Sequence, residues 1–113
     1  MKVLVTGSRK WSDYAMIYNR LAQLPKDSLI IEGGAVGADA LARTAANRLR
    51  FQRVTVMAEW REYGRSAGAR RNRSMLDLQP DLVLGFRVNQ SAGTTDCLEE
   101  AERRGIPVEV VDR

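Results

Sequence analysis

Five short apolar runs alternate with four segments of helical period along this 113-residue chain, and that alternation restricts the fold more than any other feature. Val3, Leu4 and Val5 open the first run, and Leu29, Ile30 and Ile31 form the second. Val54, Val56 and Ala58 alternate in the third, residues 82–86 are continuously apolar, and Val108, Val110 and Val111 close the series. Between them Tyr14, Ile17, Leu21 and Leu24 step by three and four, and Leu41, Ala42, Ala45 and Leu49 again have helical spacing. That spacing gathers apolar side chains on one helix face. Residues 67–78 and 94–104 read as two further helices, the first stopped by Pro80 and the second capped by Gly105. Ser12 is the predicted N-cap of the first helix, and Trp60 and Tyr63 fall in a predicted polar loop.

Strict alternation with short connections predicts one α/β domain over residues 1–113, a Rossmann-like three-layer α/β/α sandwich on a mostly parallel five-stranded sheet. The 82–86 run is predicted to be a central strand, buried on both faces. In such sheets ligands bind beyond the carboxyl ends of the strands. The turns carrying Gly7, Ser8 and Arg9, then Gly33, Gly34, Gly37 and Asp39, then Gly93, Thr94 and Thr95 all fall at that edge, as does the arginine-rich stretch from Arg61 to Arg73. Their predicted convergence is a stronger signal than any one of them.

The residue inventory removes several chemistries. No histidine is present and Cys97 is the lone cysteine. Ser-His-Asp and Cys-His schemes, His-ligated zinc and thiolate zinc clusters are therefore out of reach, and no metal or cofactor is predicted. With no disulfide possible, no apolar run of membrane-spanning length and a strand-like start, the expected setting is the cytoplasm, without a membrane partner. The net charge of +4 is carried mostly by arginine, whose planar fork suits phosphate.

Glycine lets a ligand approach the backbone, and a helix start offers unpaired N–H groups and the positive end of a dipole. Two such turns in one small domain point to a phosphate-bearing ligand. Gly33, Gly34 and Gly37 are read as close-approach positions, and equally as a tight turn. Asp39 is read as a hydrogen-bond partner for a ribose hydroxyl or a base, or as a partner of the helix dipole. Ser8 and Arg9 could hold phosphate or sugar. Arg71 is predicted to pair with phosphate or sugar oxygens, and Asn72 to bond the ligand or the 33–37 turn. Thr94 and Thr95 are predicted to build a phosphate cradle or a plain N-cap. Trp60 or Tyr63 could stack on a base or serve as partial core, and Cys97 is predicted to be a buried thiol.

Four segments, Val5-Thr6-Gly7-Ser8-Arg9, Glu32-Gly33-Gly34-Ala35-Val36-Gly37-Ala38-Asp39, Ala67-Gly68-Ala69-Arg70-Arg71-Asn72 through Met75, and Gly93-Thr94-Thr95-Asp96, resemble the SLOG superfamily in order and spacing across nearly the whole chain. This Rossmann-like group includes the LOG cytokinin-activating enzymes, DprA and the YspA/YpsA-related proteins, and the small YspA-like branch is the nearest in pattern. The resemblance implies a site for nucleotides or their derivatives, with Gly68 in the ligand-binding set and Gly93 and Thr94 holding a phosphate. It also implies a homodimer. LOG enzymes cleave the base–ribose bond of nucleoside monophosphates with an arginine and a glutamate. Arg71 and Met75 match the arginine part of that pattern. The glutamate position falls on Cys97, with Asp96 one residue before it. By that resemblance, and by their place at the strand-end edge, Arg71, Glu32 and Asp96 are the catalytic candidates.

Three functions follow as expectations. The first is a binding module or sensor for a nucleotide-derived ligand, ADP-ribose-like or a signalling nucleotide. The second is a LOG-like phosphoribohydrolase. The third, ranked last for want of aromatic interleaving on a sheet face, is single-stranded nucleic-acid binding.

Overall fold

The computed structural model describes all residues, 1–113. Strands β1 (Lys2–Gly7), β2 (Leu29–Glu32), β3 (Gln52–Thr55), β4 (Leu82–Arg87) and β5 (Val108–Asp112) form one sheet in the order β3-β2-β1-β4-β5. All four pairings are parallel. Helices α1 (Tyr14–Ala22), α2 (Ala38–Arg48), α4 (Ala67–Asp77) and α5 (Ala92–Arg103) cover its faces, and a one-turn helix α3 (Trp60–Tyr63) precedes a 3-10 turn, Gly64–Ser66. The α/β reading from sequence holds, with the sheet parallel throughout. No helix is long and apolar enough to cross a membrane.

Side chains on a strand alternate between faces. On β1, Val3 and Val5 enter a core with Ile17 and Leu21 of α1 and Ala42 and Ala45 of α2. Leu4 points the other way, into a core with Met75 and Leu76 of α4 and Leu98 and Ala101 of α5. β2, β1 and β4 are covered on both sides and form the inner strands, as the apolar run of β4 predicts. Gly85 sits where a Cβ would come 2.8 Å from Leu98, so α5 lies close on the sheet there.

Three local expectations are corrected. Asp13, not Ser12, caps α1: its Oδ1 accepts from the Met16 N–H at 3.1 Å. The third strand is Gln52–Thr55, two residues earlier than the apolar alternation suggests. Its register is set by pairing with β2, from Leu29–Gln52 to Glu32–Thr55, and an edge strand needs no apolar face. Trp60 and Tyr63 belong to the short α3 rather than to a loop.

Candidate functional site

The strand order reverses between β1 and β4, so the chain leaves these neighbours in opposite directions. A crevice opens at such a switch point. Here it is a cleft of about 640 Å³, walled by the end of β1, the start of α4 and the β4–α5 turn. Gly7, Ser8, Arg9, Asp39, Gly68, Arg71, Asn72, Gly93, Thr94 and Asp96, all expected from sequence, line it together. Glu32, Gly33, Gly34, Gly37 and Thr95 do not. Gly33 and Gly34 instead line a second groove of about 260 Å³ that shares Arg9, Ala35, Trp60 and Arg71 with the cleft.

The tips of β1 and β4 are tied by Ser8. Its N–H donates to Phe86 O at 2.9 Å, and its Oγ accepts from the Val88 N–H at 2.8 Å. The Ser8 and Ser91 hydroxyls lie 2.6 Å apart, and Ser91 donates to Thr94 Oγ1 at 3.1 Å. This relay ends on Thr94, whose own proton is left for another acceptor. Ser91 is the N-cap of α5, yet its side chain accepts from no backbone amide of the helix. The first-turn amides of Ala92, Gly93 and Thr94 therefore stay unpaired at the positive end of a twelve-residue helix. The sequence reading passed over Ser91 as a site residue, although the position before a helix start is where a hydroxyl matters most. Thr95 turns away and accepts from Arg87 at 3.1 Å.

On the opposite wall the turn before α2 is internally committed. Glu32 is fully buried. Its Oε2 accepts from the Gly34 N–H at 2.6 Å, its Oε1 accepts from the Thr55 hydroxyl, and Arg43 lies 3.7 Å away. Those bonds place the carboxylate beneath the turn, outside the cleft. Asp39 Oδ2 accepts from the N–H groups of Gly33 at 3.2 Å and Ala35 at 3.3 Å. Asp39 Oδ1 has no partner although the residue is only 4% exposed. Burial pushes this carboxyl up to about 6, against the Ala35 amide and the Arg71 charge, which pull it down. An unpaired buried oxygen in a cleft wall wants a donor.

Arg71 lies between the walls. Its Nη1 donates to Gly33 O and its Nε to Asn72 Oδ1 at 3.2 Å. Asn72 is buried, lines the cleft and makes no bond to the 33–37 turn. Its Nδ2 donates to Gly93 O at 3.2 Å and Asp96 Oδ2 at 3.1 Å, clamping α4 to α5. Of the arginine-rich stretch, Arg65 and Arg71 line the cleft. Arg70 instead covers the Tyr63 ring at 4.2 Å. Cys97 is fully buried, and burial pushes its thiol up to about 11, so it is no nucleophile. Asp96, one position earlier and about 100° round the helix, faces the cleft.

Three comparisons bear on this arrangement. A family model described as "YAcAr: YspA, cpYpsA-related SLOG family" matches residues 1–63. The "Gene 61 protein" of Mycobacterium phage D29 is 36% identical over 116 residues, spanning 95% of this chain and 93% of that protein. The X-ray structure of DNA processing protein A (DprA) from Streptococcus pneumoniae shares the fold, with a TM-score of 0.63 at 17% identity. That superposition covers 96% of this chain but 58% of the DprA chain.

Proposed function

The chain belongs to the YspA, cpYpsA-related SLOG family, and from that premise we propose that its cleft binds a nucleotide or nucleotide-derived ligand, acting as a sensor or binding protein. The observation that carries this is the open start of α5, with unpaired amides beside the Ser8–Ser91–Thr94 hydroxyl relay. A phosphate set there meets N–H donors, the helix dipole and the Thr94 proton. Arg71 adds a fixed guanidinium. Asp39 Oδ1 then accepts from a ligand hydroxyl or amine, which favours a sugar-bearing phosphate over a bare anion.

Thermal denaturation against a panel of nucleotides tests this, since a ligand that binds only the folded chain raises its apparent stability. Saturable stabilisation by a nucleotide, weakened by Thr94→Val, is the expected result. A panel without one response sinks the reading.

One observation favours a second reading, hydrolysis of the base–ribose bond. Asp96 faces the cleft beside Arg71, held by Asn72. Chromatography after incubation with nucleoside monophosphates would then show free base, lost in Arg71→Ala and Asp96→Asn. Single-stranded nucleic acid is the third reading, and it requires an affinity that falls steeply with salt. A homodimer is proposed from the family resemblance and is read by sedimentation.

A further inference from the structure

Three of the most exposed large apolar side chains stand together at the second groove: Val36 is 65% exposed, Met57 63% and Trp60 50%. Single exposed apolar residues are ordinary, but a contiguous set around a concave surface marks an interaction site. The set is built by the fold. Gly34 carries no side chain where a Cβ would overlap Met57 Sδ, so Met57 lies flat against the turn. Trp60 begins α3, and its ring edge reaches the start of α4, 3.5 Å from where a Gly68 Cβ would stand. The groove is continuous with the cleft, and both guanidinium groups of the shared neck, Arg9 and Arg71, line the two hollows alike.

Resting on the nucleotide reading above, we infer that the groove formed by Val36, Met57 and Trp60 is a second subsite that takes a planar aromatic ring, joined through a phosphate at the Arg9–Arg71 neck to the nucleotide in the cleft. The ligand class is thus a dinucleotide bridged by pyrophosphate rather than a mononucleotide. Charge complementarity places the bridge at the neck, because neither Arg9 nor Arg71 forms an ion pair with a carboxylate, Asp39 acting on Arg71 only at longer range. Shape and polarity place the ring in the groove. A base has two apolar faces and a polar edge, which suits a hollow with aromatic and thioether walls open to water on one side. The groove of about 260 Å³ is small for an independent drug-sized ligand and suited to one end of a longer one.

The test compares adenosine and guanosine monophosphates with diadenosine and diguanosine diphosphates, by calorimetric titration and by tryptophan fluorescence. Trp60 is the exposed indole, whereas Trp11 is 3% exposed, so stacking in the groove quenches the Trp60 emission. We expect one dinucleotide to bind about tenfold or more tightly than its mononucleotide, with quenching. The double variant Val36→Ala, Met57→Ala removes groove walls that lie outside the cleft and carry no core packing. It should abolish that advantage and leave mononucleotide affinity unchanged. Equal affinities in the native chain, or an advantage that survives the double variant, overturns the subsite while the cleft reading stands. No saturable binding of any of the four overturns both. Concentration-dependent self-association that shields Trp60 from acrylamide assigns the patch to a protein interface and overturns the subsite.

Discussion

The turn before α2 closes on itself, whereas the turn before α5 stays open. In the first, Ala38 N–H donates to Ser8 O at 3.1 Å, Gly33 and Ala35 donate to Asp39, Gly34 donates to Glu32, and Gly33 O accepts from Arg71. A carboxylate in the first turn of α2 also offsets the dipole there. In the second, no acidic residue stands in the first turn, the N-cap side chain bonds elsewhere, and a Cβ on Gly93 would meet nothing within 4 Å. Both turns have a glycine-bearing strand-to-helix pattern. One uses glycine to let protein approach protein, the other to leave a helix start uncovered. An anion therefore belongs at α5, and the α2 turn supplies a wall and an acceptor.

The largest expected effect breaks the closed turn. Gly37 has φ of 76° and ψ of −129°, a region essentially reserved for glycine, and a Cβ there would overlap Arg9 O. Gly37→Ala should cost roughly 4 kcal/mol, from backbone strain together with overpacking against main chain that cannot move aside. Urea denaturation measures it. A midpoint within error of the native chain would show that the turn is not locked in this way.

Next in size is the clamp between the two halves. Asn72→Ala removes three part-buried hydrogen bonds at once, those to Gly93 O, to Asp96 Oδ2 and from Arg71 Nε. A loss of about 3 kcal/mol is expected at unchanged denaturant dependence. If stability instead stays native while nucleotide binding is lost, Asn72 is a ligand contact and not a clamp.

Asp39 sharpens the comparison through pH. Its carboxyl titrates near 6 in the fold and near 3.8 free, so between those values the folded chain holds more proton than the unfolded one. Stability should then fall as pH rises from about 4 to 6 and stay level above. Asp39→Asn should flatten that slope and gain up to about 2 kcal/mol at pH 7, since the amide keeps an acceptor for Gly33 and Ala35. Ligand binding runs the other way. A hydroxyl donating to Oδ1 needs the ionised form, so nucleotide affinity should weaken as pH drops below about 6. Chemical denaturation and titration at pH 5 and pH 8 read both signs; a common sign for the two would remove Asp39 from the ligand.

The alternation of strand and helix was legible because period and length are local properties. So was the gathering of Gly7, Arg71 and Thr94 at one edge, which follows from topology once the strands are parallel. What sequence could not resolve was which groups would consume one another. Glu32 stands at a strand end like a candidate base, and only the position of Thr55 on the neighbouring edge strand reveals that its oxygens are taken. Asn72 likewise bonds Gly93 and Asp96, partners about twenty residues away whose distance depends on how α4 and α5 lie on the sheet. The β3 boundary was misplaced for a related reason: an edge strand takes its register from its neighbour's amides, and apolar period says nothing of those.

The smallest effect on stability is the most discriminating. Gly93 lies within the first turn of α5 at ordinary helical backbone, so alanine should fit and gain about 0.5 kcal/mol by restricting the unfolded chain. The added methyl nevertheless stands beside the unpaired amides in the cleft. Gly93→Ala should thus raise the denaturation midpoint slightly and weaken nucleotide binding about tenfold, whereas Gly37→Ala lowers stability whatever is bound. Affinity and stability moving in opposite directions is the signature of a glycine kept for a ligand's approach. A drop in stability like that at Gly37 would mean that both turns use their glycines for packing, and the positive end of α5 would no longer be the place where phosphate sits.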